Sequence, residues 1–193
     1  MVARVGCRLG YSDEVPAEFE ITTVIEPLSL AVFPELFAFE RDNREYFAEW
    51  VPDRGDEYFL QFQANNQALI NEQTAGDSFF FIVRDETNRL VGRVNLVDVR
   101  EGSISLGFRI AQKATGIGHA GRAVKLACAF GQKRGIQTIT AMTTLANRGS
   151  QRILERSGFG NASGNPAFVL LNGLEHKMLH YARDLNPKDS LHG

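Results

Sequence analysis

The sequence predicts an α/β (α+β) protein built on a mixed, mostly antiparallel central sheet. Three observations carry that expectation. Three β-type runs, Ser78 to Arg84, Leu90 to Val99 and Ser103 to Ile110, are joined by the short polar turns Asp85-Glu86-Thr87-Asn88 and Glu101-Gly102, the pattern of an antiparallel meander. The third run leads through a glycine-rich turn into a helical run ending at Lys133, then Gly135 and a further β-rich run, Ile136 to Thr143. That strand–helix–strand order returns the last strand parallel to Ser103–Ile110. Near the C-terminus, Asn172-Gly173 between two β-type runs marks a tight hairpin.

The remaining elements follow in order. Phe19 to Ile25 alternates well enough for a first strand, and Pro34 suits the first position of a helix running through Leu36 and Phe39. Asn43 to Val51 reads as a second short helix. After the turn residues Pro52, Asp53 and Gly55, the run Glu57 to Glu72 places Phe59, Phe62 and Leu69 at helical spacing, as expected of an amphipathic helix packed on a core. The long helix extends from about Gly118 to Lys133, with Cys128 on its apolar run.

With 193 residues, 44% of them hydrophobic and 23% charged, the chain can bury a full core, and one domain is expected over residues 19–185. Residues 1–18 are expected to be a flexible N-terminal segment and residues 186–193 a C-terminal tail. A formal charge of −2 gives no basic excess, which argues against nucleic acid as the primary ligand. No apolar stretch approaches the roughly 18 residues of a membrane span, and Arg4 and Arg8 precede no continuous apolar signal region. Cys7 and Cys128 cannot make a disulfide framework, so a reducing, cytoplasmic location is expected. His176 and His180 stand four apart, but two histidines without a third ligand do not make a zinc site, and no metal is expected.

The turn before the long helix reads Gln112-Lys113-Ala114-Thr115-Gly116-Ile117-Gly118-His119-Ala120-Gly121. Gly116 and Gly118 let backbone N–H groups approach an anion, and the helix adds the positive end of its dipole. The plain alternative is a tight connector that binds nothing. No Lys-Ser/Thr follows the glycines at P-loop spacing, and the turn is not read as that of a dinucleotide fold, so an anion other than ATP or NAD is indicated.

Further on, the segment from Asn147-Arg148-Gly149-Ser150 to Ser157-Gly158-Phe159 reads as a short helix closed by Gly158, with an aromatic after it. Together the two stretches resemble the acetyl-CoA motif of the GNAT N-acetyltransferases, Q/R-x-x-G-x-G/A followed by N-x-x-S/A and a closing Gly-Phe. Within that superfamily the chain resembles the RimJ/RimL branch, which acetylates N-terminal amines of ribosomal proteins, and RimJ more than RimL. The supporting residues are Asp42-Asn43-Arg44-Glu45-Tyr46-Phe47-Ala48-Glu49-Trp50, Gly107 to Lys113, and Leu170-Leu171-Asn172-Gly173. Lys113 departs from the pattern, standing where Gln or Arg is usual, and Ala114 and Thr115 replace an aromatic pair. A lysine still reaches a phosphate, without a bidentate fork.

The resemblance implies a GNAT fold, with a V-shaped splay between the two parallel strands, helices on both faces of the sheet and acetyl-CoA in the cleft. It implies that Lys113, Thr115, Gly116, Ile117, Gly118, His119 and Ala120 cradle the pyrophosphate, while Phe108, Arg109 and Ile110 line the pantetheine arm. Asn147 would bind that arm or the carbonyl region, and Ser150 would supply the proton for the leaving thiolate. Without the glycine turn, Asn147 and Ser150 read as helix caps. The implied activity is acetyl-CoA-dependent N-acetylation by direct attack of the amine. The expected acceptor is a protein N-terminal α-amine of the ribosomal-protein type, and the enzyme is expected as a monomer or homodimer. A small-molecule amine or antibiotic acetyltransferase and a non-catalytic acyl-CoA-binding regulator remain as alternatives.

No general base declares itself. The strand entering the cradle reads Ser103-Ile104-Ser105-Leu106-Gly107 and the stretch before the final hairpin Pro166-Ala167-Phe168-Val169-Leu170, neither with a carboxylate. Glu175 and His176, after the hairpin turn, are the substitutes. A site poor in bases suits an α-amine, of which on the order of a third is neutral at cytosolic pH, better than a lysine, neutral about once in a thousand.

Overall fold

The structure, a computed structural model, describes residues 22–186. The first strand, β1, is Val24–Pro27, later than expected; residues 19–21 of the expected strand, the N-terminal segment and most of the C-terminal tail lie outside the described residues. Helix α1 (Phe33–Asp42) takes Pro34 in its first turn and buries Phe33, Leu36, Phe39 and Glu40. Asn43 then breaks the chain: its Nδ2 donates to the Phe39 carbonyl at 2.9 Å, and α2 (Arg44–Ala48) starts immediately after, stopping short of the expected Val51.

The expected single helix Glu57–Glu72 is two, α3 (Gly55–Leu60) and α4 (Phe62–Ala75), separated at Gln61. The break accompanies an aromatic cluster. Phe62 is buried and meets Phe33, Phe37 and Tyr58 edge to face at 5.1–6.2 Å between centroids, while Phe59 packs on Phe37.

Strands β2 (Phe79–Arg84), β3 (Leu90–Arg100) and β4 (Ser103–Ile110) form the expected antiparallel meander. Helix α5 (His119–Lys133) crosses over and β5 (Thr138–Thr144) returns parallel to β4. Helix α6 (Arg148–Arg156) follows, then β6 (Gly160–Asn161), too short to signal itself in sequence, and the hairpin β7 (Phe168–Leu171) and β8 (Leu174–Asp184). Asn172 and Gly173, at φ 50° and 79°, make its turn. The sheet runs β1-β2-β3-β4-β5-β8-β6, with β7 on β8.

Period-two alternation divides the core. Phe79, Phe81 and Val83 face α5 and α6, packing with Val124, Ala127 and Leu154; Phe80 and Ile82 face the other side, with Leu28, Leu36 and Phe39. Cys128 is buried on the α5 side, where desolvation pushes its thiol up from the ordinary value. Among the described residues no helix is long and apolar enough to cross a membrane.

Candidate functional site

Strands β4 and β5 are hydrogen-bonded neighbours only from Ser103 opposite Thr138 to Leu106 opposite Ala141. Beyond that point each is held from its outer side. Strand β4 stays on β3 as far as Gly92 opposite Ile110, and β5 stays on β8 as far as Thr144 opposite Met178. The sheet therefore opens into a slot, with one backbone edge of Gly107–Ile110 and of Met142–Thr144 facing no strand. Such edges call for an amide-rich partner.

The expected pantetheine-lining residues occupy this stretch, but their side chains diverge. Phe108 and Ile110 pack into the α5 core, while Arg109 turns to the opposite face. What the three offer the slot in common is the backbone edge.

The chain leaves β4 through a short 3-10 turn, Gln112–Ala114, in which Ala114 is buried and the Thr115 hydroxyl donates to the Gln112 carbonyl at 2.8 Å. Asn43 Oδ1 accepts from the Gln112 amide at 3.1 Å, tying the turn to the α1–α2 junction. Gly116 (φ 82°) and Gly118 (φ 98°) then take the left-handed conformations that glycine tolerates. The first helical bond of α5 runs from the Arg122 amide to the Gly118 carbonyl, and no side chain caps the helix. Among the described residues the amides of Gly116 to Gly121 therefore have no acceptor. Six free donors around a helix N-terminus form an anion site.

Lys113 and Ile117 are exposed at its rim. His119 is different: its ring is buried and its Nδ1 bonds the Thr23 hydroxyl at 3.0 Å, which leaves only its backbone amide at the cradle. Gly116, Gly118 and Gly121 do stand at G-x-G-x-x-G spacing. The sheet separates this turn from a dinucleotide fold, because β4 belongs to an antiparallel meander and has one parallel neighbour.

Across the slot, α6 begins at Asn147, whose Oδ1 accepts from the Ser150 amide at 2.9 Å. Asn147 is thus the cap, and the Ser150 hydroxyl caps nothing. Buried Gln151 donates to the Thr144 and Leu145 carbonyls at 3.0 and 2.9 Å, fixing the corner between β5 and α6.

The face opposite α5 carries charges that sequence reasoning did not single out. Glu40 Oε1 accepts from Arg93 at 3.1 Å and forms an ion pair with Arg109 at 3.0 Å, with Glu40 and Arg93 almost wholly buried. The one signal was position: Glu40 stands four residues after Leu36 on the buried face of α1. The Arg109 guanidinium also lies over the Phe47 ring, 5.3 Å from its centroid. Burial pulls the Arg109 guanidinium down to about 10, with Glu40 opposing and Arg54 and Arg93 reinforcing the shift. A small cavity reaches this group between α2, α3 and β4, with Phe59 in its wall. The β7–β8 hairpin overhangs the open end of the slot, and Asn172 Nδ2 donates to the Ala48 carbonyl at 3.5 Å. Glu175 and His176 lie on that overhang, Glu175 exposed. His180 Nε2 contacts the Asn165 carbonyl, and no cluster of three metal-ligating side chains occurs among the described residues.

Residues 23–160 match the acetyltransferase (GNAT) domain family. The chain is 26% identical over 177 residues to the probable N-acetyltransferase YjcK of Bacillus subtilis, covering 87% of this chain and 96% of that protein. Its fold matches the ribosomal-protein-S5-alanine acetyltransferase of Vibrio fischeri with a TM-score of 0.80 at 17% identity, over 86% of this chain and 94% of the other. It also matches the spermidine N-acetyltransferase of Vibrio cholerae, solved with CoA and spermine, with a TM-score of 0.72 at 15% identity, over 85% and 96%.

The capping geometry separates two neighbouring side chains. Asn147→Ala is expected to cost about 1 kcal/mol of unfolding free energy, whereas Ser150→Ala is expected to stay within about 0.5 kcal/mol, measured by urea denaturation. A larger loss at Ser150 would show that its hydroxyl holds the helix.

Proposed function

The chain belongs to the GNAT acetyltransferase family, and on that premise we propose that it acetylates the α-amine of a protein N-terminus, of the ribosomal-protein type, with acetyl-CoA as donor. The observation that carries the reading is the slot between β4 and β5 leading to the uncapped start of α5. The amides of Gly116 to Gly121 and Lys113 would hold the pyrophosphate, and the free strand edges would pair with the pantetheine amides. Asn147 is left with its Nδ2 for the same arm.

The amine nitrogen attacks the thioester carbonyl, forming the C–N bond; collapse of the adduct breaks the C–S bond and releases the thiolate. Ser150 donates its hydroxyl proton to the sulfur and recovers one from the surplus on the amide-forming nitrogen, through water. No nucleophilic side chain is required. The V. fischeri neighbour, by its name an enzyme of a ribosomal protein's alanine, supports an N-terminal acceptor. A polyamine acceptor is the competing reading, supported by the V. cholerae neighbour.

Acetyl-CoA is expected to raise the melting temperature by mass action, and N-terminal peptides to turn over faster than spermidine when release of CoA thiol is followed. Spermidine turnover without peptide turnover would overturn the acceptor, and no shift with acetyl-CoA would overturn the cradle.

Ser150→Ala is expected to lower kcat by roughly tenfold to ten-thousandfold while leaving the KM for acetyl-CoA nearly unchanged. An unchanged kcat would remove the hydroxyl from the mechanism.

If no side chain serves as base, kcat/KM for the peptide is expected to rise with pH and level off about where a free α-amine titrates, near 8. A rise continuing toward 10 would point to a lysine-type amine.

A further inference from the structure

We infer that the α1–α3 side of the slot is an anion-recognising acceptor pocket, in which Arg109 and Tyr58, with Arg93 buried beside Arg109, select an N-terminal peptide with an acidic residue next to its amine-bearing residue. This rests on the proposed N-terminal acceptor, and it names the class of peptide. Arg109 stands on the free stretch of β4, so an amine approaching the slot from the face opposite α5 passes its guanidinium.

The first support is charge. Arg44 is satisfied by Asp53 and Asp56. Arg93 and Arg109 share the single carboxylate of Glu40, and Arg54 lies over the Tyr58 ring at 4.4 Å with no carboxylate partner among the described residues. Guanidinium charge is therefore in excess in a partly desolvated wall, where a further carboxylate would be stabilised.

The second support is hydrogen bonding. Tyr58 Oη, Arg93 Nε and Asn95 Oδ1 are buried without a partner, three of the five such side-chain atoms among the described residues. Arg93 lies opposite Arg109 and Asn95 opposite Gly107 on the β3–β4 ladder, and Tyr58 lines the same cavity as Arg109. Buried polar atoms are ordinarily paired, so a concentration of orphans beside a slot marks where a ligand's polar groups complete the network. Two of the three are donors, as a carboxylate requires, and the Asn95 oxygen suits a peptide N–H. Facing Arg109 are Glu40 from α1, the Phe47 ring from α2, Arg54 just before α3, Tyr58 from α3, and Arg93 from β3. Burial first, and then the charges of Arg54 and Arg93, disfavour its charged form.

The test uses the full chain, acetyl-CoA and three peptides differing only at the second residue, which is Glu, Gln or Lys. The Glu peptide is expected to exceed the Gln peptide about tenfold in kcat/KM, as a charge-assisted bond implies, and the Lys peptide by more. Arg109→Gln should raise KM for the Glu peptide about tenfold more than KM for the Gln peptide, with Arg109→Lys restoring part of the preference. Tyr58→Phe removes a hydroxyl that is unpaired in the free protein; it should keep the fold and raise KM for the Glu peptide alone.

Equal use of the three peptides, or a uniform loss in Arg109→Gln and Tyr58→Phe, overturns the inference while sparing the N-terminal acceptor. Should no peptide react, that acceptor fails, and glutamate against glutamine as free amines then decides the pocket: preference for glutamate supports it and indifference overturns it.

Discussion

A sheet rarely leaves an inner edge unpaired, and the site depends on two such edges created where β4 and β5 part after Leu106 and Ala141. The opening is tolerable because each strand is fully laddered on its other side, β4 to β3 and β5 to β8, so the slot is a gap between two stiff pairs. At the same end of the sheet both α5 and α6 begin, bringing two positive helix ends together. They are not equivalent. Asn147 occupies the start of α6 by accepting from the Ser150 amide, whereas α5 starts at a glycine with no side chain to spend. The cap at one helix and its lack at the other decide which of the two is open to an external phosphate.

The two faces of the slot differ in the kind of positive potential they present. On the α5 side it comes from fixed backbone amides and dipole, with the side chain of Lys113 at the rim. On the α1–α3 side it comes from guanidiniums clustered on the one carboxylate of Glu40. A buried ion group is weak support for stability, since desolvating its members offsets most of their attraction. Apolar side chains would fill the same volume of α1, β3 and β4 at little cost in stability, so the cluster is better understood through what it does at the slot.

Most of the scaffold was legible because its signals are local. Strand Ser103–Ile110 and the hairpin at Asn172-Gly173 appear where alternation and turn chemistry place them, and Pro34 opens α1 as expected. The glycine turn before α5 was legible for the same reason, since Gly116 and Gly118 announce positive φ. What escaped depends on tertiary partners. The break at Gln61 accompanies the convergence of Phe33, Phe37 and Tyr58 on Phe62, and the bond from His119 to Thr23 joins residues 96 apart in sequence. Asn147 and Ser150 read alike as caps; only coordinates show which oxygen accepts. Glu40 was visible as an acid on an apolar helix face, yet its two guanidinium partners lie on other elements.

The strand entering the turn and the stretch before the final hairpin carry no carboxylate, and that scarcity of bases can be understood together with the guanidiniums beside the slot. Like charge disfavours the protonated form of an incoming amine, so a cationic wall lowers the amine's pKa as it approaches. An α-amine starts near 8 and needs only a small shift to arrive neutral, whereas a polyamine starts higher and carries further positive charge into the same wall. The acceptor's own carboxylate, held by Arg109, would anchor the chain, offsetting that guanidinium and leaving the shift of the amine to the remaining guanidiniums of the wall. Proton removal would then be partly done by where the amine is placed, and Ser150, fixed through its amide to Asn147 with its hydroxyl uncommitted, would be left for the departing sulfur in the proposed reaction.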